Sequence, residues 1–211
     1  MNRLPQILTG IFLAFTASWL GLVVYSYNHL ATLSPIESDD APGGFAPPAV
    51  SGEATSGQAV YASNGCVYCH SQQVRQPNVT LSDIRRGWGE RASVARDYFY
   101  RSPAFLGSQR IGPDLANIGV RQTDPQWLHR HLYEPSEVFP GTVMPSYRYL
   151  YQLRKIVGQP SDEALTSLTG PYAPRPGWEV VPTEDARNLV AYLISLNQGY
   201  PLPEAPKPAQ D

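Results

Sequence analysis

The longest apolar run comes first: no residue from Ile7 to Tyr27 is charged. As a helix this stretch would span about 31 Å, close to the hydrocarbon thickness of a bilayer, so the pattern predicts one transmembrane helix. Arg3 precedes it and the first charges after it are Glu37, Asp39 and Asp40, which puts the N-terminus in the cytoplasm and the remainder on the outer face. A cleaved signal peptide is disfavoured, because the run is too long for a typical apolar signal region and no Ala-x-Ala-like site follows Tyr27. Tyr25, Tyr27 and His29 would sit at headgroup level. Gly10, Ala14 and Ser18, with Ala17 and Gly21 beside them, make a small-residue face suited to close contact with a partner helix.

Beyond the anchor the pattern breaks up. Residues 31–56 hold Pro35, Pro42, Pro47 and Pro48 without apolar periodicity, and are expected to be an extended linker. Ser56 to Asn64 predicts a helix with Val60 and Tyr61 inward. No regular period holds from Ser71 to Arg110. Thr123-Asp124-Pro125 caps a helix through about Tyr133, with Trp127, Leu128 and Leu132 on its apolar side. Ser146 to Val157 reads as helical and Gly158 to Val181 as loop. Thr183 caps the last helix, through Asn197, where Ala186, Leu189, Val190, Leu193 and Ile194 follow a helical stripe. The organisation expected is thus an anchor over 1–30, a linker over 31–56, one mainly α, loop-rich domain over 57–200, and a frayed Pro-rich tail over 201–211.

Composition narrows the class. The 21 prolines and 17 glycines among 211 residues indicate a loop-rich fold that needs a prosthetic group or a partner to complete its core. A net charge of −2 gives no case for a nucleic-acid partner. Basic character is almost wholly arginine, fourteen against two lysines. Arginine suits bidentate pairing with carboxylates, although most of the arginines between Ser71 and Arg110 are expected on a solvated face.

The chemistry concentrates at Cys66-Val67-Tyr68-Cys69-His70. Two thiols three positions apart, followed at once by an imidazole, are what covalent haem attachment requires. A structural zinc site wants about four N or S ligands, but only two cysteines are present and His29, His129 and His131 lie in unrelated settings. A thioredoxin-like dithiol should end a strand, whereas Gln58 to His70 reads as helix running into loop. Elimination supplies the sixth ligand: Met1 is the initiator, leaving Met144, held out of helical geometry by Pro145. His129 and His131 lie two apart on a helix and so point to different sides; both are expected to be solvated or locally bonded. Gly112-Pro113 is a turn whose proline carbonyl could accept from the free ring nitrogen of His70. One amphipathic helix at each end of the domain is what a cytochrome c fold packs crosswise.

Four strings, taken in order, are Gly65 to Gln72, Gly107-Ser-Gln-Arg-Ile-Gly-Pro-Asp-Leu-Ala116, His131-Leu-Tyr-Glu-Pro135 and Met144-Pro-Ser-Tyr147. Together they resemble the membrane-anchored mono-haem subunit II (CcoO/FixO type) of cbb3-type cytochrome c oxidases, over the anchor and Gly57 to Leu150. The chain departs from familiar members in having Gln73-Val74-Arg75 where a methionine often follows. The resemblance implies one haem c, with Cys66 and Cys69 as thioether sites and His70 and Met144 as axial ligands. It also implies a haem-copper subunit that reduces oxygen, and a further c-type subunit or soluble cytochrome as donor. The bacterial inner membrane is the implied location, and this chain would have no oxygen chemistry of its own. The small subunit of nitric oxide reductase, a free-standing tethered cytochrome, and a haem sensor or peroxidase with an open sixth site are the alternatives.

Overall fold

The computed structural model describes residues 3–76 and 82–206, so the first two residues of the expected anchor and 207–211 of the expected tail lie outside it. The fold is mainly helical. One helix, Leu4–Ala31, is long and apolar enough to cross a membrane, and its most apolar stretch has no buried residue. A stripe with no protein neighbour is what a lipid-facing anchor presents. This helix runs as α1 (Leu4–Trp19), a π turn (Leu20–Val24) and α2 (Tyr25–Ala31).

The haem-motif helix begins earlier than its sequence suggests. Ser51 is its N-cap, accepting from Ala54 N at 3.2 Å, and α3 runs Gly52–Ser63, taking the last residues of the expected linker. Short helices α4 (Ser82–Arg85) and α5 (Ile118–Arg121) follow. Next come α6 (Pro125–Tyr133), capped by Asp124, then α7 (Pro135–Val138) and α8 (Glu184–Ser195), capped by Thr183. α3 and α8 cross in the core so closely that a Cβ on Gly57 would lie 1.8 Å from the Asn188 carbonyl oxygen. Tyr61 and Tyr192 meet there with ring centroids 5.3 Å apart. Leu189, Val190 and Leu193 supply the buried stripe of α8, and Leu128 and Leu132 close the core from α6.

Two stretches differ from their expected form. The segment 146–157 makes only a 3-10 turn at Arg148–Leu150, then strand β3 (Tyr151–Lys155), which pairs antiparallel with β4 (Trp178–Pro182) inside the expected loop. The helical spacing of Tyr147, Leu150 and Tyr151 is real, but Val180 and Val181 lie about thirty positions away and provide the ladder that wins.

The linker and residues 201–206 of the expected tail are also folded. Ile36–Glu37 (β1) and Phe45–Ala46 (β2) pair antiparallel. Ala41 and Ala46 are buried with Tyr200 and Leu202 in a second small core. Arg91 locks this clasp: its guanidinium grips Asp97 at 2.8 and 3.0 Å and donates to the Tyr200 carbonyl at 2.9 Å, while the Tyr200 hydroxyl bonds Asp97 at 2.9 Å. Arg96 ties Ser34 to Glu204. Residues 201–206 are therefore packed, with Leu202 and Ala205 buried, and not frayed.

Candidate functional site

α3 delivers the motif. Gly65 takes φ +70, a left-handed step that a side chain resists, and turns the chain out of the helix. Cys66–Tyr68 then forms a single 3-10 turn, closed by Cys69 N to Cys66 O at 3.2 Å and His70 N to the same oxygen at 3.0 Å. Residues three apart in a 3-10 turn eclipse, so Cys66 and Cys69 share a side. Neither forms a disulfide. Burial pushes the Cys66 thiol up to about 11, against an opposing interaction with the Tyr147 hydroxyl.

The segment Gly107 to Ala116 zips along the residues that follow the cysteines. Gly112 N bonds Cys69 O at 3.0 Å, Leu115 N bonds Ser71 O at 2.7 Å and Gln72 N bonds Leu106 O at 3.1 Å. His70 Nδ1 donates to the Pro113 carbonyl at 2.8 Å. A carbonyl can only accept, so the proton is on Nδ1 and the Nε2 lone pair is left for another partner. Burial lowers the pKa of His70, favouring this neutral form despite the opposing Pro113 bond. Gly112 lies directly against the imidazole, for a Cβ there would sit 2.3 Å from His70 Cε1.

Behind this contact is a buried polar lock. Asp114 accepts from the Ser71 hydroxyl at 2.5 Å and from the Gln73 and Ala116 amides, each at 2.8 Å. Arg110 reaches Ser71 Oγ at 2.8 Å, Gln73 O at 2.7 Å and Asp83 at 2.5 Å. Arg91, Arg101 and Arg110 thus turn inward: Arg101 donates to the Ser195 carbonyl at 2.8 Å, and only Arg85 and Arg86 stand on the expected solvated face. Charge density in the sequence carries no sign of this.

Met144 is partly buried and packs against the main core cluster, as Cys66, Val67 and Trp127 also do. Its loop is fastened on both sides. Tyr147 N bonds Leu132 O on α6 at 2.9 Å, and the Tyr149 hydroxyl bonds Asn64 beside the motif. Glu134 receives Ser136, Ser146 and Arg148, the Ser146 bond being 2.9 Å. Burial alone would raise its carboxyl; these bonds outweigh that and hold it below the usual range. Sequence reasoning missed Glu134, Asn64 and Tyr149.

His129 and His131 do point to different sides; His129 is buried and hydrogen-bonded, and His131 is half-buried. His129 is buried, its Nδ1 3.1 Å from the Tyr151 hydroxyl, and burial lowers it to about 4. His131 stacks on Trp127 at 5.0 Å.

The arrangement could hold a haem of the c type. It offers two unbridged thiols on one turn, an imidazole with one nitrogen tied and one free, a thioether on a fastened loop, and a glycine where a side chain would block the ring. A family model described as cytochrome c oxidase, mono-heme subunit/FixO, matches residues 49–175. No curated protein matches the chain.

Proposed function

Since the chain belongs to the mono-haem FixO family of cytochrome c oxidase subunits, we propose that it relays electrons through one covalent haem c to the haem-copper, oxygen-reducing subunit of a cbb3-type oxidase. When bound, that haem supplies a reversible one-electron centre. Cys66 and Cys69 would form its thioether bonds, and His70 and Met144 would supply its iron ligands. The bond from His70 Nδ1 to Pro113 O, with Gly112 against the ring, carries this reading, because it orients the imidazole and raises its basicity as a ligand. Met144 on its anchored loop would exclude small ligands from the iron and favour its reduced state.

The remaining assignments follow from the same reading. The anchor spans the bacterial inner membrane once with its N-terminus cytoplasmic, and the haem domain stands on the outer face. A c-type subunit or soluble cytochrome is the donor. The clasp between linker and residues 200–205 supports a fixed subunit over a roaming tethered cytochrome, since a docked linker has lost the reach of a free one.

The test is extraction of the tagged protein from its native membranes in mild detergent, followed by assays of oxygen and nitric oxide consumption with a reduced c-type donor. Oxygen uptake with a co-purifying haem-copper subunit is expected. Turnover of nitric oxide alone would transfer the chain to the reductase role, and a lone haem protein with neither activity would make it a shuttle or sensor.

A further inference from the structure

Tyr149 is 66% exposed, yet its hydroxyl is committed: it donates to Asn64 Oδ1, 85 positions back in the chain. Both ends of that bond are held from behind. Asn64 is the C-cap of α3, donating to the Val60 carbonyl through its backbone N at 3.1 Å and through Nδ2 at 2.8 Å, and Gly65 and Cys66 follow it directly. Tyr149 is the middle residue of the 3-10 turn Arg148–Leu150, closed by Leu150 N to Tyr147 O at 3.0 Å. Thr183, at the head of α8, fixes the end of that turn by bonding the Leu150 carbonyl through N at 2.9 Å and Oγ1 at 2.8 Å.

The bond therefore ties the segment that contains Cys66, Cys69 and His70 to the segment that contains Met144. The amide of Met144 bonds Thr142 Oγ1 at 3.2 Å, a contact that travels with the loop and does not hold it to the motif. Tyr147 N on Leu132 O, at 2.9 Å, holds the loop to α6. The link from loop to motif is the one made by Tyr149 on the outside of the molecule.

We propose that Tyr149 and Asn64 are positioning residues that form a latch on the Met144 loop: while their bond is made the loop is held against the haem motif, and when water replaces it the thioether is free to leave the iron. This deepens the reading above and rests on Met144 being the sixth ligand. Exposure suits the bond to this task. A hydrogen bond open to solvent exchanges with water and contributes only modestly, so it sets how often the loop opens without any loss of the buried core. The effect belongs to the oxidised protein, because thioether ligation favours the reduced state.

The experiment uses the oxidised full-length holoprotein in detergent and follows imidazole binding by stopped flow. At saturating imidazole the observed rate reaches a limit set by departure of the thioether. Tyr149→Phe keeps the ring and removes the donor; the limit is expected to rise about three- to tenfold, the scale of one exposed hydrogen bond. Asn64→Ala should raise it too, and the double variant should be no faster than Asn64→Ala alone, because both changes remove the same bond. Asn64→Asp keeps an acceptor and should keep a limit near the native one. An unmoved limit in Tyr149→Phe overturns the proposal, and so does a double variant in which the two increases multiply, the sign of two independent structural losses. Met144→Ala separates the two levels: imidazole should then bind without a limiting rate, and a native limit in that variant would remove Met144 as ligand and defeat the underlying reading itself.

Discussion

Single atoms decide the site. Gly112 is required because the His70 ring occupies the space of its missing side chain. Gly112→Ala is expected to displace the imidazole from its bond to Pro113, seen as reduced haem incorporation and a higher midpoint potential in whatever holoprotein forms. Met144→Ala should open the sixth position, so the reduced protein acquires carbon monoxide binding and loses its low-spin visible spectrum; an unchanged spectrum would favour the sensor or peroxidase alternative. The proposed attachment residues Cys66, Cys69 and His70 stand out in the sequence because covalent attachment depends on spacing along the chain alone, and Met144 because it is the one methionine besides Met1. The lock of Arg110, Asp114 and Asp83 is not legible in this way, because Arg110 and Asp114 hold Ser71 and Gln73, which lie up to 39 positions from Arg110, and Arg110 itself bonds Asp83.

At the scale of elements, capping and periodicity gave α6 and α8 almost to the residue, since Asp124 and Thr183 bond the first turns of their own helices. The β3 and β4 pair escaped notice because a ladder joining Tyr151 to Pro182 leaves no local period. That hairpin also shapes the pH response of α6. The Tyr151 hydroxyl donates to the His129 carbonyl at 3.1 Å and seals the imidazole in its neutral form. With a folded pKa near 4 against an ordinary 6.5, the unfolded chain takes up a proton first as the solution is acidified. Stability is thus full above pH 6.5 and falls toward pH 4 by up to ~1.4 kcal/mol per pH unit. Thermal unfolding measured at each pH should show this slope, and His129→Gln should flatten it.

On the scale of the whole molecule, the least expected feature was the clasp. The linker and tail look disordered in composition because their apolar residues are few and small, but Ala41 and Ala46 find Tyr200 and Leu202 from the opposite end of the chain. Asp97→Asn leaves Arg91 charged inside a dry site and is expected to cost about 3–5 kcal/mol. Faster proteolysis between residues 34 and 51, and a lowered midpoint in a denaturant titration, are the measurements. For the proposed electron relay the clasp would also work as a ruler. Electron tunnelling falls off exponentially with distance, so a folded spacer between bilayer and haem domain converts conformational rigidity into a fixed rate constant. Lengthening or loosening that spacer would therefore be felt first in kinetics, as a spread of transfer times among otherwise intact molecules.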